Sequence, residues 1–401
     1  MSPTVIACSL VEAHRRLGEE PLGQLASVPA LARRLRQAGA SAVCIVVDAV
    51  RLNERLLVWI DTEHAQAWLA SSAVAVMPRS NASDLFPRHL MFAMEKGFVV
   101  ADAAVLAIMA TNRDMRSAGR SDRSPDAHAS NVSDVSYAAN TDFAVDPTLL
   151  PQVSWGEEAV FFEAPSAPPA PTRQLDLYAI VDSAERVQQV LSAGVKTVQL
   201  RVKKPPSPSA DWDDILRQEV QRSLTASHAA GAELFINDHW QAAARDGASG
   251  VHLGQEDLLA LGNAGRAALQ ASGMALGISS HSLWELCRAR TLNPRYIACG
   301  PVWPTLTKDM PWHAQGLDNL SWWCRMAGYP VVAIGGILGV EQVFDAARAG
   351  ADGICIVRGL GDQPGSVVSA LLAAMHAGRA SPESSGAKRV CPRPSLSPTS
   401  V

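Results

Sequence analysis

Amide and charged side chains alternate in one short segment of the C-terminal half of the chain. Gln199, Arg201 and Lys203 stand two residues apart, so a strand here would place an amide and two cations on one face. The other interpretation is an exposed strand edge with alternating polar residues, which is disfavoured if the strand is buried among helices. The spacing therefore predicts a site for an anionic ligand.

Two carboxylates follow the next two apolar runs along the chain. Asp238 comes after Asn237, and Asp257 ends the segment Gly254–Asp257. Mg²⁺ binds through one or two carboxylates, while waters and substrate phosphates complete its coordination. Either aspartate could instead cap the helix that follows it. The nearby cationic segment favours Mg²⁺ as the cofactor, with Asp238 and Asp257 as its ligands.

Hydroxyl groups and a lysine follow the fifth and sixth apolar runs. The Ser279 hydroxyl can hydrogen-bond a phosphate, whereas His281 has no visible nucleophile or carboxylate partner and is expected to pack or to cap a helix. The segment Gly300–Lys308 places two threonine hydroxyls and the Lys308 ammonium on a loop that prolines restrict. A plain solvated loop is the alternative interpretation of this segment.

Glycines mark the ends of the last two apolar runs, at Gly335-Gly336 and at Arg358-Gly359. Glycine lets the backbone approach an anion closely, and backbone N–H groups can then donate to it. These segments predict a second anion site that is made largely of backbone.

The elements that must position these residues are eight short apolar runs separated by helical stretches. The predicted strands are Leu175–Asp182, Thr197–Lys203, Ala232–Asp238, Gly250–Gln255, Ala275–Ser280, Tyr296–Pro301, Pro330–Gly336 and Gly353–Arg358. Several of the helices between them stop at an Ala-Gly pair, where glycine can take the left-handed cap conformation. Strands that alternate with helices predict a parallel sheet, and eight repeats predict an α/β fold closed into a (β/α)8 TIM barrel, with its active site at the carboxyl ends of the strands. An open doubly wound sheet is the alternative, but no GxGxxG turn follows the first strand.

Composition divides the chain into four parts. Residues 116–172 have a low-complexity linker composition, rich in Ser, Asp, Asn and Ala and then in Pro. Residues 379–401 resemble them and are predicted to be a disordered tail. This leaves a small α/β block at 1–115 and the barrel at 173–378.

Charge and cysteine usage limit the possible partners. A formal net charge of -4 argues against a nucleic-acid partner, whose phosphates need clustered Lys and Arg. The seven cysteines are scattered without a CxxC pair, which is typical of a reduced cytoplasm. No signal peptide and no membrane span are expected, since no apolar run approaches about 18 residues.

Seven segments, spread in order from Gln199 to Leu360, resemble motifs of the thiamine-phosphate synthases. They read QLRVK, FINDHW, GVHLGQED, LGISSH, GPVWPTLTK, VAIGGI and ADGICIVRGL. The resemblance implies an alkyl/aryl transferase that joins a hydroxymethylpyrimidine diphosphate to a thiazole phosphate, with Mg²⁺ and by a dissociative route. No general base or covalent nucleophile is required by this chemistry, and none is evident.

The resemblance also assigns residues to these two substrates. The positions that hold the pyrimidine diphosphate are Gln199, Leu200, Arg201, Val202, Lys203, Asn237, Ser279 and Lys308, and the positions that hold the thiazole phosphate are Thr305, Leu306, Thr307, Gly336, Val357 and Arg358. Arg201, Lys203 and Lys308 would stabilise the charge of the departing pyrophosphate. An acidic residue is more common where Val202 stands, but this side chain is expected to face away from the ligand.

Two other interpretations of the barrel remain. A thiazole tautomerase resembles these synthases but lacks the full diphosphate-binding set, which Lys203, Asp257 and Lys308 complete here. A non-catalytic barrel that senses a ligand or acts as a scaffold would be expected to have lost a metal ligand or a phosphate-site lysine. The partners expected are therefore small-molecule substrates and, as a possibility, further copies of the chain.

The N-terminal block resembles the C-terminal part of a hydroxymethylpyrimidine-phosphate kinase, especially at Gly97–Leu106. Such kinases place a glycine-rich GTGC turn at a helix N-terminus, where N–H groups stabilise the transferring phosphoryl group. The corresponding segment here, Arg79–Asp84, has neither the glycines nor the cysteine. We therefore expect a degenerate remnant without kinase activity; retained binding of a pyrimidine is the alternative.

Overall fold

A computed structural model describes residues 4–21, 24–47, 55–71, 82–121, 142–159, 161, 174–305, 312–381 and 391–396. The chain forms two compact units. The first combines Met1–Ala164 with Ser282–Thr291 and Cys391–Val401, and the second combines Pro165–His281 with Leu292–Val390. None of the helices in the described ranges is long and apolar enough to cross a membrane.

A five-stranded sheet is the centre of the first unit. Its strands are β1 (Val5–Ser9), β2 (Ala42–Val47), β3 (Leu57–Asp61), β4 (Gln66–Ala70) and β5 (Gln152–Val153). They lie side by side in chain order; β1 and β2 are parallel, and each later pair is antiparallel. Every residue of β2 and β3 is buried, so both faces of the sheet are covered. The sequence predicts strands at Ala42–Val50 and Arg55–Asp61, and β2 and β3 lie within these two ranges, whereas β1, β4 and β5 were not predicted.

Five α-helices within the described residues belong to the first unit. They are α1 (Leu10–Arg16), α2 (Val28–Gln37), α3 (Ala82–Glu95), α4 (Val100–Ser121) and α10 (Leu283–Ala289). Leu31 and Leu35 of α2 pack with Val43 and Ile45 of β2 in one apolar cluster. This arrangement follows from the sequence because α2 carries its apolar residues on one face, at intervals of three and four.

The linker predicted at 116–172 is partly structured. Residues 142–159 contain two short 3₁₀ turns and β5, which extends the sheet by pairing with β4. The Ser154 hydroxyl also accepts the Trp68 N–H at 3.0 Å, across 86 positions of sequence. Phe143, Leu149 and Val153 are buried, and this burial offsets the polar composition that predicted a linker. The residues with the strongest linker composition, at 122–141 and 162–173, lie outside the described ranges.

The tail predicted to be disordered at 379–401 is also partly structured. Helix α13 continues to Ala380, and residues 391–396 belong to the first unit. Ser395 is buried there, and its hydroxyl lies 3.5 Å from the Asp102 carboxylate. A Ser- and Pro-rich composition therefore does not prevent this segment from packing.

The second unit is a closed barrel of eight parallel strands, as predicted. The strands are β6 (Asp176–Val181), β7 (Thr197–Leu200), β8 (Glu233–Asn237), β9 (Gly250–Leu253), β10 (Ala275–Ser280), β11 (Tyr296–Cys299), β12 (Val331–Ala333) and β13 (Gly353–Ile356). They pair in chain order, and β13 pairs with β6 to close the barrel. The helices between the strands are α5 (Ala184–Ser192), α6 (Trp212–Ala230), α7 (Trp240–Asp246), α8 (Gln255–Ala260), α9 (Gly262–Ala271), α11 (Gly316–Met326), α12 (Val340–Arg348) and α13 (Val368–Ala380). Gly231 ends α6 in the left-handed conformation predicted for such a cap.

Most barrel strands are shorter than predicted, and at β7 the difference affects the predicted ligand residues. This strand ends at Leu200, so strand alternation does not carry Arg201 and Lys203 onto the face of Gln199. Arg201 still donates its N–H to Val181 O at 2.7 Å, and the ladder stops there. Pro205 and Pro206 follow closely and have no N–H to donate to a further strand.

Aromatic rings fill the centre of the barrel. Tyr178, Phe235 and Tyr296 are fully buried, and their ring centroids lie 5.2–5.9 Å apart. Glycines on the neighbouring strands make room for them: a Cβ atom on Gly277 would lie 2.2 Å from the Tyr296 ring, and one on Gly250 would lie 2.5 Å from Phe235. Because the rings are closely packed against these glycines, their positions are fixed.

Candidate functional site

The predicted ligand residues lie at the carboxyl ends of neighbouring barrel strands. Gln199 is near the end of β7, Asn237 ends β8, and Ser279 is near the end of β10. Gln199 and Asn237 are buried, and Ser279 is half-buried. The strands therefore bring together at one edge polar groups that are as much as 80 positions apart in sequence.

A cation and two carboxylates form the charged part of this edge. The pKa of Asp238 is raised above its ordinary value because the surrounding protein removes water from the carboxylate and because the Asp257 charge repels it. The charge of His239, the Arg201 guanidinium and a hydrogen bond from Asn237 act in the opposite direction. Asp257 and Arg201 are therefore both close enough to Asp238 for their charges to act on its carboxylate.

The backbone holds Asp238 in a specific conformation. Its φ is 63°, in the left-handed region, which aspartate enters more readily than most residues. Asp238 N–H donates to His252 O at 3.1 Å, and Trp240 N–H donates to Asp238 O at 2.9 Å. The following helix α7 has no side-chain cap, so Asp238 is not the N-cap that was the alternative interpretation.

Asp257 lies in the first turn of α8 rather than before it, since that helix begins at Gln255. Its Oδ2 accepts the Gly254 N–H at 3.1 Å, so the carboxylate does serve the start of the helix. It is exposed and keeps its other oxygen for a further ligand. Capping and metal binding are therefore compatible for Asp257.

Three loops meet where the backbone anion site was predicted. A Cβ atom on Gly336 would lie 2.6 Å from Trp303, and one on Gly359 would lie 2.8 Å from Leu338 O, so both glycines are needed for the close approach. The backbone N–H groups of Gly336 and Arg358 have no acceptor among the described residues. Such groups can donate to a phosphate.

The remaining predicted site residues differ in burial, and some of them lie outside the described ranges. Leu306, Thr307 and Lys308 are outside them, and Thr305 is the last described residue before that gap. Lys203, Val357 and Arg358 are exposed, whereas Leu200 is buried and Val202 is half-buried. Val202 contributes its carbonyl oxygen, 2.9 Å from His239 Nε2. The His281 ring stacks on Trp312 at 5.4 Å, as expected for a packed residue.

A buried chain of hydrogen bonds under the site was not predicted. Gln199 Nε2 donates to the Tyr178 hydroxyl at 3.0 Å, and that hydroxyl lies 2.7 Å from the Tyr296 hydroxyl. His252 Nδ1 is 2.8 Å from the Tyr296 hydroxyl, and its Nε2 is 2.9 Å from Ser279 Oγ. Desolvation lowers the pKa of His252 to about 4, so the ring is neutral at neutral pH.

The sequence did contain a signal for this chain. Tyr178, Tyr296 and His252 are polar residues within apolar strands, and a barrel strand points alternate residues inward. His252 stands two residues after Gly250, so both point to the same face of the strand. Tyr178 and Tyr296 carry hydroxyl groups that need hydrogen-bond partners when they are buried.

Comparison with known proteins identifies the barrel. A sequence model of the family described as thiamine monophosphate synthase matches residues 177–360. The thiamine-phosphate synthase of Rhizobium etli is 43% identical over 188 residues, which are 47% of this chain and 87% of that protein. The chain belongs to the thiamine-phosphate synthase family.

A second relative agrees with this assignment. The protein of Neisseria meningitidis serogroup A is 48% identical over 164 residues, 41% of this chain and 76% of that protein. A solved thiamine phosphate pyrophosphorylase from Pyrococcus furiosus aligns with 25% identity and a TM-score of 0.44, over 51% of this chain and 96% of that chain. Members of the family are transferases, so the chain is an enzyme of this class. The matched range of the family lies within the barrel.

Proposed function

We propose that the barrel joins a hydroxymethylpyrimidine diphosphate to a thiazole phosphate, giving thiamine phosphate and pyrophosphate. The bond between the pyrimidine methylene carbon and the diphosphate oxygen breaks, and the oxygen keeps the electron pair. The thiazole nitrogen then forms a bond to the same carbon. The family assignment supports synthase activity over a tautomerase or a sensing barrel, and the observation that carries the substrate proposal is the joint presence of the charged cluster and the backbone anion site.

Arg201 and Ser279 would hold the diphosphate. The charge of the Arg201 guanidinium acts on Asp238 and on His252, so it lies near both groups. A cation fixed at this place stabilises the charge that develops on the leaving pyrophosphate without having to reorganise. Lys203 and Lys308 would add further positive charge.

The donor set fits Mg²⁺. Asp238 and Asp257 are oxygen ligands on adjacent barrel segments, and their mutual repulsion would be relieved by a divalent cation between them. The described residues contain no group of three or more His, Cys, Asp or Glu side chains able to hold a metal, so diphosphate oxygens and waters would complete the coordination. Bound Mg²⁺ would neutralise part of the pyrophosphate charge.

The thiazole phosphate would bind where the loops after β11, β12 and β13 meet. The N–H groups of Gly336 and Arg358, which have no acceptor in the described part of the chain, can donate to its oxygens. Thr305 and Thr307 would contribute hydroxyl groups from the neighbouring loop. This site needs no metal, which leaves the two aspartates to the diphosphate.

Loss of either aspartate should raise the Mg²⁺ requirement. We expect Asp238→Asn and Asp257→Asn to increase the Mg²⁺ concentration for half-maximal rate by about tenfold or more, because each removes an anionic ligand. Product and pyrophosphate release are followed with both substrates during Mg²⁺ titration, and binding of Mn²⁺ to the protein is measured by electron paramagnetic resonance.

The control for this experiment is Asp214→Asn on α6, whose carboxylate is 72% exposed and pairs only weakly with Arg217 at 3.6 Å. It should leave both readouts unchanged. An unaltered Mg²⁺ requirement in both test variants would remove these aspartates from the metal site. A folded, Mg²⁺-replete wild type that makes no thiamine phosphate would contradict the substrate proposal itself.

We propose that the N-terminal unit does not catalyse phosphoryl transfer. Arg79, Ser80 and Asn81 lie outside the described ranges, and Ala82 to Asp84 form the first turn of α3. This segment has no glycine to bring the backbone close to a phosphate. Transfer of phosphate from ATP to a hydroxymethylpyrimidine phosphate by the full chain would contradict the proposal.

We also place the enzyme in the cytoplasm. All seven cysteines are free, and five of them are buried. This usage supports a reducing compartment. Assembly into a homo-oligomer stays a prediction.

A further inference from the structure

We propose that Tyr296 is a positioning residue for the buried chain of hydrogen bonds. It makes all four bonds donate in one direction, from Gln199 to Ser279, so that the Ser279 hydroxyl proton remains available to the ligand. The proposal rests on the proposed function, since it concerns the diphosphate site. It goes beyond it by assigning a role to a tyrosine that has no direct place among the ligand groups. The geometry of the four hydrogen bonds carries it.

The direction starts at the Gln199 amide. Its Nε2 donates to the Tyr178 hydroxyl, which must then use its own proton on the nearest acceptor, the Tyr296 oxygen 2.7 Å away. Tyr296 has one proton left to give, and His252 Nδ1 is 2.8 Å away. Each hydroxyl thus accepts one bond and donates one, which satisfies two buried groups that would otherwise be costly.

This direction fixes the tautomer of His252. A neutral imidazole has one donor nitrogen and one acceptor nitrogen. Because Nδ1 accepts from Tyr296, Nε2 carries the proton and donates to Ser279 Oγ at 2.9 Å. Ser279 then accepts inside the barrel and has its hydroxyl proton free for an outer acceptor, such as a diphosphate oxygen.

The opposite direction would be unfavourable for an anion. Ser279 would spend its proton on His252 Nε2 and would present only oxygen lone pairs to the diphosphate. It would also require the Gln199 carbonyl, instead of its amide nitrogen, to face Tyr178. The observed amide orientation and the charge of the ligand therefore favour the same direction.

Packing fixes the Tyr296 ring between its two hydrogen-bond partners, Tyr178 and His252. It is fully buried, its ring stacks on His252 at 5.7 Å, and it meets Tyr178 edge-on at 5.5 Å. Gly277 faces it on β10 and has no side chain, so the ring occupies space that any other residue would block. A ring held on all sides presents its hydroxyl at one place.

The tautomer of His252 tests the proposal directly in the full chain without substrate. Protein with ¹⁵N-labelled histidine is examined by NMR, and the His252 signals are assigned by their loss in His252→Gln. We expect a protonated Nε2 and an unprotonated Nδ1 in the wild type. The reverse pattern in the wild type would overturn the proposal, and His252→Gln has to fold only for the assignment of the signals.

Tyr296→Phe should change both the tautomer and the rate. The ring is kept but the donor to Nδ1 is lost, so the His252 signals should shift to a mixture of tautomers. We expect kcat to fall about tenfold, the usual scale of one lost hydrogen bond, with KM for the thiazole phosphate unchanged. Tyr178→Phe should also weaken the preference for this tautomer, because it removes the link through which the Gln199 amide sets the direction of the hydrogen bonds.

The matched control is Tyr329→Phe, whose exposed hydroxyl reaches Asn293 at 3.4 Å, outside the chain of hydrogen bonds. It should change neither readout. A wild-type rate and tautomer in folded Tyr296→Phe would overturn the proposal. An inactive wild type with protonated Nε2 would instead reject the proposed substrates while supporting this hydrogen-bond arrangement, so the two failures can be told apart.

Discussion

Replacing Arg201 with methionine should lower kcat by a factor of about 10²–10³, the scale measured when a fixed electrostatic contact to a developing anion is removed. The side chain keeps most of its length and apolar stem but loses its charge. The charge of Arg201 acts on both Asp238 and His252, and the proposed function gives it the role of stabilising the charge on the leaving pyrophosphate. Rates are measured with both substrates and saturating Mg²⁺.

Two further variants separate charge from geometry at this position. Arg201→Lys keeps a point charge but loses the planar fork, and we expect a loss of about tenfold. Arg222→Met is the control, because Arg222 is 63% exposed and pairs with Glu219 on the surface of α6. Its rate should stay within about twofold of the wild type. If Arg201→Met also stayed within that range, Arg201 would not stabilise the leaving group.

The barrel was predictable because its signals are local. Each strand is a short apolar run, and each run is followed by the polar residues that the barrel gathers at one edge. Gln199, Asp238 and Ser279 stand at the ends of such runs, so their location at this edge could be predicted once the runs were assigned as barrel strands. The location of Lys203 could not be predicted in this way, because the end of β7 depends on where its hydrogen bonds to the neighbouring strands stop.

Contacts across long sequence distances were not predictable. Strand β5 has two residues and exists because it pairs with β4, more than 80 positions earlier. The buried chain of hydrogen bonds joins residues of five different strands, which no sequence window contains. Such features depend on tertiary pairing, and local propensity gives them little signal.

Replacing Asp102 with asparagine should stabilise α4 and α10 at neutral pH and remove a dependence of their stability on pH. Asp102 of α4 is fully buried, and its carboxylate accepts the Trp284 N–H at 2.9 Å at the start of α10. Burial, together with the charge of Glu285, raises the pKa of Asp102 to about 6. The bond from Trp284 only partly offsets this effect.

The sign of the pH dependence follows from proton binding. The unfolded chain releases the Asp102 proton near pH 4, whereas the folded chain keeps it until about pH 6. Between these values the folded state binds more protons, so the free energy of unfolding falls as pH rises, by about 3 kcal/mol in total. Asparagine still accepts the Trp284 N–H but has no charge, so its variant should lack this fall.

Hydrogen exchange of peptides from α4 and α10 measures the effect, after correction for the intrinsic exchange rate at each pH. At pH 7 we expect about 100-fold more protection in Asp102→Asn than in the wild type, and a difference that shrinks steadily towards pH 4.5. Asp84→Asn removes an exposed carboxylate of α3 and should show no such convergence. Equal protection of Asp102→Asn and wild type at pH 7 would mean that the buried carboxylate is not destabilising, and that Trp284 and its other neighbours compensate fully for the water it has lost.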